Sequence, residues 1–242
     1  MQLAIDIGNS YIKVGLFDGE KLVKTTKHET LDDTLFQNII NQFDISHAIV
    51  SSVELPEIEK AIRLKSETKL VKFDHNTKLP IKNNYLSPET LGKDRIAAAI
   101  GGWKLNNMSS VLVIDAGTCV KYDFVDHDSG YMGGSISPGL QMRLDAMHEF
   151  TARLPLLKLE QTADFYGKDT FSAMMTGVMT GIIGECKYFI DLFETRFGKI
   201  NVILTGGNAD FISLHLNKKY QLEPNLVLFG LNSILKHNLK ND

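Results

Sequence analysis

The chain has 242 residues, of which 43% are hydrophobic and 23% charged, and its net charge is −3. These are ordinary values for a globular protein, and the length allows one large domain or two modest ones. The charge excludes a general affinity for nucleic acid, the two cysteines lack Cys-x-x-Cys spacing, and no apolar run is long enough to span a bilayer, so a soluble cytoplasmic protein is expected.

The chain starts on the apolar run Leu3-Ala4-Ile5 with no charged leader before it. Residues 2–5 predict a strand ending at Asp6, and 11–17 a second strand. Asp18-Gly19 reads as a hairpin turn and 21–27 as the returning strand. Helical spacing of Leu35, Ile39, Ile40 and Phe43 predicts a helix over 31–43. A buried strand at 48–50, a helix over 54–64 and a strand at 69–73 follow. Residues 74–88 are polar, carry Pro80 and Pro88, and read as a functional loop. A helix over 90–106 closes the first half.

The pattern then restarts. Residues 111–114 predict a strand ending at Asp115, with strands at 120–125 and 131–136 around a polar turn at 126–130. Pro138-Gly139 opens a helix, a long helix covers 169–196, a strand at 202–204 ends in Thr205-Gly206-Gly207, and a last helix runs over 226–239. Strand, Asp-x-Gly turn, strand, turn, strand thus occurs at Asp6 and again at Asp115, which points to internal duplication. Two domains are expected, 1–108 and 109–242, with the final helix packing back on the first.

Asp6-Ile7-Gly8-Asn9-Ser10 is either a plain β-turn or a phosphate loop. Gly8 lets backbone N–H groups approach a phosphate, Asn9 and Ser10 add donors, Asp6 suits Mg²⁺ directly or through water, and Lys13 adds positive charge. Asp115-Ala116-Gly117-Thr118 repeats the arrangement, and two such hairpins supply the positioning and charge that phosphoryl transfer requires. Thr205-Gly206-Gly207-Asn208 is either a simple strand-to-helix connection or a close approach for a flat ring and phosphate. Gly92-Lys93-Asp94-Arg95 is either a surface ion pair or a general base, Asp94, beside an anion-binding Arg95. Gly133 to Gly139 reads equally as tight packing or as a binding loop. The seven histidines show no metal-ligand spacing, and neither a Walker loop nor a Gly-x-Ser-x-Gly elbow is present.

Taken in order, these five segments resemble the type III pantothenate kinases of the acetate and sugar kinase/Hsp70/actin superfamily, from Asp6 to Leu226-Val227-Leu228-Phe229-Gly230-Leu231. The resemblance implies two actin-like (ribonuclease H-like) α/β domains, each a mixed sheet flanked by helices, with the nucleotide cleft between them. It implies ATP-dependent phosphorylation of the primary hydroxyl of pantothenate, the first step of coenzyme A synthesis. Asp94 would be the catalytic base. Asp6, Ile7, Gly8, Asn9, Ser10, Tyr11, Ile12, Lys13, Thr118, Gly206 and Gly207 would bind ATP. Tyr85, Gly92, Lys93, Asp94, Arg95 and Thr170 would bind pantothenate, although Thr170 by itself reads only as a helix start. Asp115 would hold a monovalent cation, K⁺ or NH₄⁺, and Mg²⁺ would accompany ATP near Asp6. A homodimer is implied, with no nucleic-acid or membrane partner. Ser10 stands where the family more often has Thr and Lys93 where it more often has Ala; Cys119 and Lys121 are less usual in their segment. A related small-molecule kinase and a nucleotide-binding regulatory or accessory protein are the alternatives.

Overall fold

Two runs of apolar residues build the centres of two sheets. Leu3, Ala4 and Ile5 are each fully buried, as are Val111, Leu112 and Ile114. A strand buried on both faces reads as such an unbroken run. In the computed structural model, which describes residues 1–8, 11–29, 42–51, 68–160 and 166–240, these runs lie in β1 (Gln2–Ile7) and β6 (Val111–Ala116). The helices expected over 31–43 and 54–64 lie almost wholly outside the described residues, as do Asn9 and Ser10.

The first sheet has the order β3-β2-β1-β4-β5, with β2 at Ile12–Asp18, β3 at Lys21–His28, β4 at His47–Val50 and β5 at Lys69–Lys72. β1, β2 and β3 form an antiparallel meander, and β4 and β5 add in parallel beyond β1. The edge strand β3 is the most exposed and carries Lys21, Lys24 and Lys27, charges that discourage edge-to-edge pairing. The second sheet has the order β10-β9-β6-β7-β8, with β7 at Cys119–Asp126, β8 at Gly130–Pro138, β9 at Asn201–Thr205 and β10 at Gln221–Leu222. β9 pairs in parallel with β6, and β10 with β9. Read from the third meander strand, both sheets have the same order, so the restart seen in the sequence is a repeat of topology.

The chain divides into two compact units. Unit one comprises Met1–Ser109, Val125–Gly133 and Asn225–Asp242; unit two comprises Ser110–Phe124 and Gly134–Pro224. In unit one, helix α1 (Lys93–Leu105) packs against the last helix of the chain. Small residues let the two backbones touch. A Cβ on Gly101 would lie 2.4 Å from Leu226 O, and one on Gly230 would lie 1.8 Å from Ala97 O. In unit two, α2 (Leu140–Glu149) and α3 (Thr170–Phe197) precede β9, and the short α4 (Ala209–His215) follows it. α3 buries Met175, Val178, Ile182, Cys186 and Ile190, a stripe at helical spacing, against Leu112, Ile114, Val120 and Phe124. The last helix is α5 (Leu226–Leu239), which buries Leu226, Leu228, Leu231, Ile234 and Leu235 in unit one against β1, β2 and β4. Among the described residues no helix is long and apolar enough to cross a membrane.

Candidate functional site

In unit one, the fifth residue of β1 is Asp6, and its register partner across the hairpin is Lys13 of β2. Opposite charges directly across an antiparallel pair support each other. Gly8 N–H donates to Tyr11 O at 3.0 Å and closes the turn. Ser51, one residue past β4, accepts from Ile7 N–H at 2.9 Å and donates to Asp6 Oδ1 at 3.2 Å. The carboxylate is therefore aimed by a neighbour from a parallel strand. The sequence reading missed Ser51. The signal was its position directly after a strand pairing with β1, which sets it beside Asp6. Tyr11 is exposed, with Lys27 Nζ 3.5 Å from its ring centroid.

The second constellation of unit one lies at the N-terminus of α1. Gly92 is the N-cap, Lys93 and Asp94 are half-buried, and Arg95 is buried. Asp94 Oδ1 curls back over Gly92, where a Cβ would meet it at 2.7 Å. The Arg95 guanidinium lies 5.7 Å from the Tyr85 ring centroid, and the Tyr85 ring packs against Tyr131 at 6.2 Å and over Gly133. The 74–88 segment is held by Asn84, whose side chain donates to Ser129 O and Tyr131 O. So Tyr85, Gly92, Asp94 and Arg95 come together.

Unit two gathers three of the segments singled out in the sequence. Gly117 N–H donates to Cys119 O at 2.9 Å, closing a turn one residue shorter than the one Gly8 closes with Tyr11. Counting two residues outward from each contact sets Asp115 opposite Lys121 just as Asp6 faces Lys13. Lys121 Nζ is 2.7 Å from Asp115 Oδ2, with both side chains largely buried. The other oxygen, Oδ1, packs on the 205–207 turn. A Cβ on Gly206, whose φ is +93°, would lie 2.5 Å from it, so glycine alone fits there. Asn208 N–H donates to Ala116 O at 2.8 Å, and Gly139 N–H donates to Thr118 O at 3.0 Å. The Gly117-Thr118 turn is thereby gripped by the 205–208 turn and by the start of α2. Thr118 and Gly207 remain exposed.

The Gly133 to Gly139 segment serves close packing. A Cβ on Gly134 would lie 1.9 Å from Tyr122 O. Ser137 Oγ donates to Glu185, which also accepts from Tyr122 OH at 2.8 Å and from Arg143 at 2.5 Å. Burial would raise the Glu185 pKa, but the hydrogen bonds from Ser137, Arg143 and Tyr122 outweigh it and hold the carboxyl below its usual range. Thr170 stands exposed in the first turn of α3, behind a capping box in which Asp169 accepts from Ser172 N–H at 2.7 Å.

Among the described residues no three His, Cys, Asp or Glu side chains cluster as a metal cage. That donor set fits Mg²⁺, which is held by one or two carboxylates together with substrate phosphates; Asp6 is the carboxylate that would hold it. It does not fit a K⁺ or NH₄⁺ ion on Asp115 Oδ2, because an ammonium of the chain already occupies that oxygen.

A family model described as type III pantothenate kinase matches residues 2–192. A protein of Cytophaga hutchinsonii named type III pantothenate kinase is 39% identical over 239 residues, covering 99% of this chain and 100% of its own. Among solved structures, a Campylobacter jejuni protein described as a Baf family transcriptional activator superposes with a TM-score of 0.62 at 21% identity, covering 98% of this chain and 99% of that one. A Listeria monocytogenes protein described as an N-acetylmannosamine kinase gives 0.57 at 13% identity, with 98% and 99% covered. At such identities the structural likenesses speak for the fold alone, the actin-like α/β fold that the two mixed sheets display.

Proposed function

Because the chain belongs to the type III pantothenate kinase family and so catalyses ATP-dependent phosphorylation of pantothenate in coenzyme A synthesis, we propose that Asp94 is the base of that transfer. One observation carries the reading. A half-buried carboxylate in the first turn of α1 adjoins a buried arginine that is braced against Tyr85.

In this reading Asp94 accepts the proton of pantothenate's primary hydroxyl as its oxygen forms a bond to the γ-phosphorus of ATP. The bond from that phosphorus to the β–γ bridging oxygen breaks, and ADP leaves. Arg95, fixed under Tyr85, supplies a charge-assisted hydrogen bond to the pantothenate carboxylate. Lys93 lends positive charge at the same helix end, and Thr170 is a further substrate contact. The Asp6–Lys13 hairpin and the exposed Thr118 and Gly207 receive the nucleotide, with Gly206 shaping the second turn. Mg²⁺ beside Asp6 would neutralise charge on the phosphates. The reaction belongs in the cytoplasm. A homodimer is part of the reading, supported by the exposed Phe171, Tyr188 and Leu192 on α3, and light scattering measures it.

The test is Asp94→Asn. Loss of a general base costs about 100- to 10,000-fold, so kcat with pantothenate and ATP is expected to fall at least ~100-fold at an unchanged melting temperature. A near-normal kcat would assign the base elsewhere, Asp6 being the next carboxylate to examine.

A further inference from the structure

We infer that Lys121 is the resident monovalent cation of this kinase, an ammonium carried by the chain itself on Asp115 in place of a K⁺ or NH₄⁺ ion from solution. The inference rests on the kinase reading and concerns how the second turn obtains its positive charge.

Three observations converge. Lys121 Nζ is 2.7 Å from Asp115 Oδ2, and the two side chains are only 17% and 13% exposed. An ion seated on this oxygen would have to displace a like-charged group that is tethered two residues from the turn. The remaining carboxylate oxygen, Oδ1, lies against the 205–207 turn, where Gly206 leaves no room for a side chain. Third, the arrangement is the counterpart of the first hairpin, where Asp6 and Lys13 are register partners. Each half of the repeat thus sets a lysine across from the aspartate one residue before the end of its first strand.

The chemistry follows from the location. Asp115 precedes Gly117-Thr118, the turn proposed to meet the nucleotide. An aspartate left bare there would repel a polyphosphate at close range. A cation beside it cancels that charge and fixes the carboxylate against the 205–207 turn. A dissolved ion does so only in proportion to its concentration, whereas a side chain on the next strand is present at every salt composition. Lys121 is a positioning residue in this account. It acts through Asp115 on the shape and charge of the turn.

The experiment uses the full-length protein in buffer whose only monovalent cation is tetramethylammonium, with KCl or NH₄Cl then added. The wild type is expected to phosphorylate pantothenate at full kcat/KM for ATP without added K⁺ and to show no K⁺-specific rise in melting temperature. Lys121→Met is expected to lose about 10- to 100-fold in kcat/KM for ATP, the scale of one charged hydrogen bond. It should recover on adding K⁺ or NH₄⁺, and gain a K⁺-dependent rise in melting temperature. A merely structural lysine would not be rescued by a salt. Strong activation of the wild type by K⁺, or stabilisation of the wild type by K⁺ over tetramethylammonium, would overturn the inference, and both arms stand even if Lys121→Met does not fold. Absence of turnover in every salt would count against the kinase reading, and the melting-temperature arm would still decide the place of Lys121.

Discussion

Glu185 lies midway along α3, between Gly184 and the buried Cys186, and nothing in its helical position marks it as more than a polar residue. Its importance comes from three partners on three other elements: Ser137 at the end of β8, Arg143 on α2 and Tyr122 on β7. Its folded pKa lies below its unfolded value. The stability it contributes is therefore complete above the unfolded pKa, near 4.3, and is lost as pH falls through the folded pKa. Glu185→Gln is expected to cost about 1–3 kcal/mol at neutral pH, with the gap to wild type closing below about pH 4. Melting curves taken across that range check it; a gap independent of pH would mean that charge is not what Glu185 contributes. The same burial pushes the neighbouring Cys186 thiol up to about 11, so it stays protonated and inert, in keeping with a core role. Residues of this kind are hard to read from sequence because their partners are distant along the chain. Lys121 is a case in point. It was visible only as an unusual residue, and its meaning waited on the turn contact that sets it across from Asp115.

At the scale of elements, alternation and turn residues were legible because they are local. The strands around Asp6 and Asp115, the long helix α3 and the last helix α5 all lie within a residue or two of where their patterns put them. α1 is the instructive difference. A helix was expected from 90 but begins at Lys93, because Thr90 N–H and Oγ1 are tied back to Ser87 O in a separate turn and Gly92 becomes the cap. The two-residue β10 has no period to read, and it exists only as an addition to β9. Two glycines within helices differ sharply in what surrounds them. Gly230→Ala is expected to destabilise by about 1–3 kcal/mol or more, since its Cβ would lie 1.8 Å from Ala97 O where α5 crosses α1. Gly177→Ala on α3, with nothing within 4 Å of the new Cβ, is expected to stabilise by roughly 0.5–1 kcal/mol. Denaturant midpoints of the two variants, moving in opposite directions, check both; a shared direction would mean that helix propensity outweighs the crossing.

At the scale of the whole molecule, the repeat was legible from two strand–turn–strand patterns, and the residues around Asp94 carried the resemblance that named the chemistry. Less legible was how the chain is apportioned between units, because that depends on contacts made by residues far apart. Val125–Gly133, counted in unit one, is the clearest case, whereas α5 was expected to pack back on the first half. That helix contributes five buried aliphatic side chains to unit one, each worth roughly 1.5–3 kcal/mol when fully buried. Their sum is of the order of the whole net stability of a domain, about 5–15 kcal/mol. A chain ending at Pro224 is therefore expected to lose the cooperative fold of unit one. Hydrogen exchange on residues 2–18 checks this, and protection equal to that of the full chain would remove α5 from the core.

That last helix also imposes an order of events at the ribosome. Strands β1 to β5 emerge before unit two, yet the helix that seals them is synthesised only after all of unit two has appeared. These strands must therefore wait with an apolar face exposed while unit two becomes complete. This is the stretch of the protein's life in which a chaperone would find most to hold.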